Sequence, residues 1–174
     1  MSNAILYRAP FGVQGDITRP SQQNVEAWGF NSANVFAQYG VPGKIVSGLF
    51  VPCVAAGDVS LIWGFLVRPY PISPLNASDA LGTSVPNCTA GFVANVLRRG
   101  YLNVFVQLNA ASVAAGGSVY MRTAGAIAGQ ILGGIEGATT GNNTVLTASQ
   151  GLAGGIVFTG PADANGIAEI AFNL

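Results

Sequence analysis

Seven acids, seven bases and two thiols are the charged and thiol groups that this chain of 174 residues offers to acid–base, nucleophilic or metal chemistry, and it contains no histidine. The commonest general base and the commonest metal ligand are therefore both missing. A serine–histidine or cysteine–histidine nucleophile cannot be assembled within the chain. Paired carboxylates remain, the arrangement that hydrolyses glycosidic bonds. The acids are instead scattered singly beside turn residues: Asp58 follows Gly57, Asp79 follows Ser78, and Asp163 precedes Ala164-Asn165-Gly166. They read as solvated turn carboxylates. Asp163-x-Asn165-Gly166 lacks the further acids of a calcium loop, and Cys53 and Cys88 lack the spacing of zinc thiolates. Gly43-Lys44 is followed by Ile45, which has no hydroxyl for magnesium, so a phosphate loop fails as well. The sequence predicts no catalytic residue, no metal site and no cofactor. Both cysteines sit among apolar or small neighbours and are expected to be buried free thiols.

Charged residues make up 8% of the chain, against about 25% in an ordinary soluble domain, and there are 24 glycines. Basic and acidic residues balance in both halves, so no basic face for a phosphate backbone can form. Mean hydropathy is +0.46, yet the long uncharged run Gly100 to Met121 is broken by Asn103, Gln107 and Asn109 and is no membrane span. No nucleic acid and no membrane are expected as partners. The first residues, Met1 to Ile5, have neither the basic nor the apolar region of an export signal, which predicts synthesis in a cytoplasm.

The elements that must position these residues are strands. Short runs rich in Val, Ile, Phe and Tyr, punctuated by Gly, Pro and Asn every eight to twelve residues or so, are the pattern of an all-β sandwich or barrel. Expected strands are Lys44 to Val51, Val59 to Arg68, Tyr101 to Leu108, Ser118 to Thr123 and Ile167 to Phe172, the last delivered by an Asn165-Gly166 turn with both residues at positive φ. Within Tyr101 to Leu108, Asn103 and Gln107 are expected to face away from the core. Ala90 to Arg99 fits a strand or a short helix, and the segment from Pro69 to Asn87, with its prolines, is the main loop. Residues 1–24, interrupted by Pro10, Gly12, Gly15 and Pro20, read as an extended N-terminal arm, and 25–174 as a single sandwich domain. Arginine outnumbers lysine six to one, and its planar guanidinium suits protein interfaces. Arg8, Phe11, Arg19 and Trp28 are the expected contact residues; of the early aromatics, Tyr7, Phe11, Trp28, Phe30, Phe36 and Tyr39 divide between contact surface and core.

Four strings share one order with a known family: Arg99-Gly100-Tyr101-Leu102-Asn103-Val104, then Ala115-Gly116-Gly117-Ser118-Val119-Tyr120-Met121-Arg122, then Gly133-Gly134-Ile135-Glu136, and finally Phe158 to Phe172 with its Gly160-Pro161-Ala162-Asp163-Ala164-Asn165-Gly166 centre. Over about residues 95–174 the chain resembles the structural cement, or head decoration, proteins of tailed bacteriophages. The resemblance implies an antiparallel, jelly-roll-like β-sandwich that binds the outer surface of the virion capsid as a homodimer or homotrimer. It also implies the major capsid protein as partner, adjacent subunits of which it would clamp, and synthesis in the bacterial host cytoplasm. Another virion β module, such as a head-fibre base, tail component or carbohydrate-binding adhesin, is the alternative on the same architecture.

Overall fold

The computed structural model describes residues 12–69, 86, 88, 90–125, 129–146 and 155–174. Ten strands are present among them: β1 (Asn24–Phe30), β2 (Pro42–Val46), β3 (Leu49–Pro52), β4 (Gly64–Val67), β5 (Val93–Leu108), β6 (Tyr120–Arg122), β7 (Ile135–Glu136), β8 (Asn143–Val145), β9 (Ile156–Phe158) and β10 (Ile167–Phe172). The chain is the all-β sandwich expected, with a mixed sheet in place of a purely antiparallel one: β1 pairs β3 in parallel, as β5 does β7. None of the described helices is long and apolar enough to cross a membrane.

Five of the strands close on themselves. β1 pairs β3, β3 pairs β2, β2 pairs β4, β4 pairs β5, and β5 returns to β1. Each contributes to one hydrophobic cluster: Phe30, Phe50, Ile45, Leu66 and Val96. Phe36 and Tyr39, from the loop before β2, complete it, and Phe36 stacks on Phe50 at 4.9 Å. The opposite faces of β4 and β5 present Phe65, Val67 and Leu97 to a second, larger cluster with β10, β9, β6 and β7. Phe65 meets Phe172 edge to face at 5.0 Å across it. β4 and β5 are thus walls shared by two cores, which is why their apolar runs are nearly continuous.

β5 is the spine, and Gly100 divides it. Leu97 and Leu102, five residues apart, both face the larger cluster; unbroken period-two alternation would put them on opposite faces. The change falls between them, in the stretch that holds Gly100, whose φ is +136° and where a Cβ would lie 2.9 Å from the Gln22 carbonyl oxygen. The pairing with β1 slips two residues earlier, at Arg98, Asn24 facing Arg99 while Val25 faces Leu97. The two alternatives for Ala90 to Arg99 resolve as strand, since from Val93 onward this segment pairs β1 on one edge and β4 on the other.

Other expectations need correction. The run Lys44 to Val51 is two strands, because Ser47 and Gly48 adopt φ of 51° and 78°, the consecutive positive values of a two-residue hairpin loop. Val59 to Arg68 is a strand only from Gly64; Ala56–Leu61 is a 3-10 turn, held by Asp58, whose Oδ2 accepts the Val54 and Ala55 amides at 2.9 and 3.1 Å. Asn103 is buried, because residues 15–18 run antiparallel beside it: Gly15 N donates to Asn103 O at 2.7 Å, Asn103 N donates to Asp16 O at 2.9 Å, and Ile17 bridges Leu102. At the closing hairpin, Asp163 Oδ1 accepts the Asn165 and Ile167 amides, and of Asn165 and Gly166 only the glycine has positive φ. The expected loop Pro69 to Asn87 lies almost wholly outside the described residues.

Candidate functional site

The charged side chains have been drawn inward. Asp58, Arg68, Arg98, Arg122, Glu136 and Glu169 are buried, so the reading of the acids as solvated turn carboxylates fails for three of them. Among the described residues five ion pairs form: Arg19 with Glu169, Lys44 with Asp58, Arg68 with Asp16, Arg98 with Glu26, and Arg122 with Glu136. A charge taken from water is tolerated when it is paired and its remaining hydrogen-bonding positions are filled, as they are at Arg122 and Glu136. Arg122 Nη1 donates to the carbonyls of Ala124 and Gly125, while Glu136 Oε2 accepts from Thr140 Oγ1 and Asn143 Nδ2. No group of three or more acidic or cysteine side chains is placed to hold a metal ion among the described residues.

Of the expected contact residues, Arg8 and Phe11 lie outside the described residues. Arg19 lies with its guanidinium 3.7 Å over the Tyr101 ring and Nη2 2.8 Å from Glu169 Oε2. Glu169 also accepts from Thr18 Oγ1 and Thr159 Oγ1. Burial opposes ionisation of that carboxyl, but the hydrogen bonds from Thr159, Thr18 and Arg19 outweigh it and hold Glu169 below the usual carboxylate range. Trp28 stands elsewhere, opposite Ala94 on β5, about 20 Å along the strand from Tyr101. It meets Trp63 edge to face at 5.7 Å, and Glu26 Oε2 accepts both indole N–H groups at 3.1 and 3.0 Å. Arg98 covers the Trp63 ring at 3.8 Å. Phe30, Phe36 and Tyr39 are core residues, which settles for them the division left open between surface and core; Tyr7 falls outside the described residues.

Arg99, one of the arginines suited by type to an interface, is not among the four expected contact residues. At the slip, Arg98 lies buried over Trp63 while Arg99 beside it is exposed, as bulges re-aim side chains. Arg99, Tyr101, residues 21–24 and Leu174 line a largely polar hollow of about 570 Å³. The signal was the doublet Arg98-Arg99 immediately before a glycine: adjacent strand residues face opposite ways, so the two guanidinium groups enter different surroundings.

The family model described as XM1 gp53 minor capsid protein matches residues 1–172. The chain belongs to that family. It is accordingly a capsid-associated structural protein of a bacteriophage, carried in the virion. A solved structure titled "The capsid of Myoviridae Phage XM1" contains a chain 20% identical in sequence, with a TM-score of 0.59 over 99% of this chain and 97% of that one. At that identity the likeness concerns the fold. No curated protein matches the chain.

Proposed function

We propose that this minor capsid protein is a cement protein, which binds the outer surface of the assembled head as a homodimer or homotrimer and clamps adjacent major capsid protein subunits. The observation that carries the reading is the placement of charge. The protein carries few charges and spends nearly all the described ones on internal ion pairs, while Val25, Val35, Val46, Phe92 and Val93 remain exposed. Such a surface associates with other protein surfaces more readily than it stays free in water. Binding the mature shell in preference to its unassembled subunits adds the binding free energy to the stability of the shell. Contacts to two or more subunits make modest individual affinities sufficient. The catalytic chemistry open to the chain was narrow from the outset, and a structural role needs none.

The test is to prepare particles lacking this protein, add it back, and measure both copy number by cryo-EM and the temperature of DNA release. A cement protein fills a lattice of equivalent sites on the outer face and raises the release temperature. Occupancy confined to a single vertex or to the tail would overturn the proposal in favour of a fibre base or tail component.

A further inference from the structure

Among the described residues, each lysine and arginine other than Arg99 lies within 4.0 Å of a carboxylate of this chain. Arg99 is exposed, makes no such pair, and borders the hollow formed with residues 21–24, Tyr101 and Leu174. We propose that this hollow seats an acidic segment of the shell protein, with the Arg99 guanidinium receiving its aspartate or glutamate carboxylate. The inference rests on the cement reading and names the place where this chain meets the shell.

Three features fit the assignment. The hollow is lined by residues with amide and hydroxyl groups, Ser21, Gln22, Gln23, Asn24 and Tyr101, a composition that offers donors and acceptors to a peptide backbone. Its size is that of a site for a few side chains. It is also built on rigid parts: Arg99 pairs Asn24 beside the register slip at Arg98, and Tyr101 is covered by Arg19, itself tied to Glu169. A guanidinium that is held ready and unpaired makes planar two-point contact with a carboxylate. A neutral protein that pairs its other described cations internally has a specific use for the one it leaves outside. The partner it fits is negative at that point, and a phosphate backbone would need a wider field of positive charge than one arginine provides.

Particles lacking this protein serve as the probe, titrated with wild type and with Arg99→Gln, Arg99→Lys and Arg99→Glu. The thermal midpoints of all four are expected to coincide, since Arg99 has no internal partner to lose. Arg99→Glu is expected to weaken binding at least about tenfold and to remove much of its salt dependence. Arg99→Gln falls between, and Arg99→Lys retains part of the affinity. Binding of Arg99→Glu within about twofold of wild type overturns the hollow as the contact while leaving the cement reading intact. Failure of the wild type itself to bind overturns both. A change in sedimentation with unaltered particle binding assigns the hollow to a second copy of this chain and overturns the proposal in that way.

Discussion

Arg122 and Glu136 meet on the face of β6 and β7 opposite Met121 and Ile135, Nε to Oε1 at 2.6 Å, with side chains 4% and 0% exposed. They occupy neighbouring antiparallel strands, Tyr120 facing Glu136 and Met121 facing Ile135. The pair also ties the segment at Ala124 and Gly125, through Nη1, to the segment at Thr140 and Asn143, through Oε2. Removing one member leaves the other charge buried and unpaired. Arg122→Ala or Glu136→Ala is therefore expected to cost about 3–5 kcal/mol in urea unfolding, and the double variant less than the sum of the two. Additive losses would show the two side chains to be energetically independent.

Phe65 and Phe172 hold the ring of strands β1 to β5 against β10. Both are fully buried. Truncation of either to alanine is expected to destabilise the protein by about 3–5 kcal/mol. A double-mutant cycle is expected to give a coupling of about 0.5–1.5 kcal/mol, the scale of an edge-to-face ring pair beyond its buried area.

Gly100→Ala places a Cβ 2.9 Å from the Gln22 carbonyl oxygen at a φ of +136°. Strain at such a position costs about 1–3 kcal/mol. The same change displaces Arg99, so Gly100→Ala is expected to lower both the thermal midpoint and particle binding, whereas Arg99→Gln lowers binding alone. Calorimetry beside a binding titration separates the two effects.

Acid is expected to weaken the fold through Glu169 and Asp58. Burial opposes the charge of each. Glu169 is nevertheless held below its ordinary value by Thr159, Thr18 and Arg19, and Asp58 by Lys44 and the Val54 and Ala55 amides. A carboxyl depressed in the folded state stabilises fully above its unfolded value, near 4, and that contribution is lost as pH falls through the folded value. Asp16, which burial raises against the pull of Arg68, contributes with the opposite sign. Urea midpoints are expected to be level from neutral pH to about 5 and to fall below about 4, and Glu169→Gln is expected to flatten that fall while lowering the plateau.

Cys53 and Cys88 are both buried free thiols, as their apolar neighbours suggested. Burial, reinforced by the nearby Asp58 charge against a smaller opposing pull from Lys44, pushes the Cys53 thiol up to about 12. Since the thiolate is the reactive form, Cys53 is expected to resist a disulfide reagent at pH 8 in the native protein and to react at once in denaturant. Rapid native labelling of Cys53 would contradict the burial.

What the sequence determined by itself were the local consequences of residue type: an all-β chain, buried thiols, a tight closing turn at Asp163 to Gly166, and the absence of imidazole chemistry. Each follows from a few neighbouring residues. Tertiary structure decided where the charges went. Nothing local to Asp58, Glu136 or Glu169 says that a cation arrives from fourteen or more residues away, and without that partner a solvated turn was the sound expectation. The low charge content first indicated only a chain with little catalytic equipment. The fold pairs most of the described charges with one another, because segments distant in sequence bring opposite signs together. Arg99 stands apart from them, exposed while Arg98 is buried, at a slip in the β1–β5 register that no local sequence signal announces.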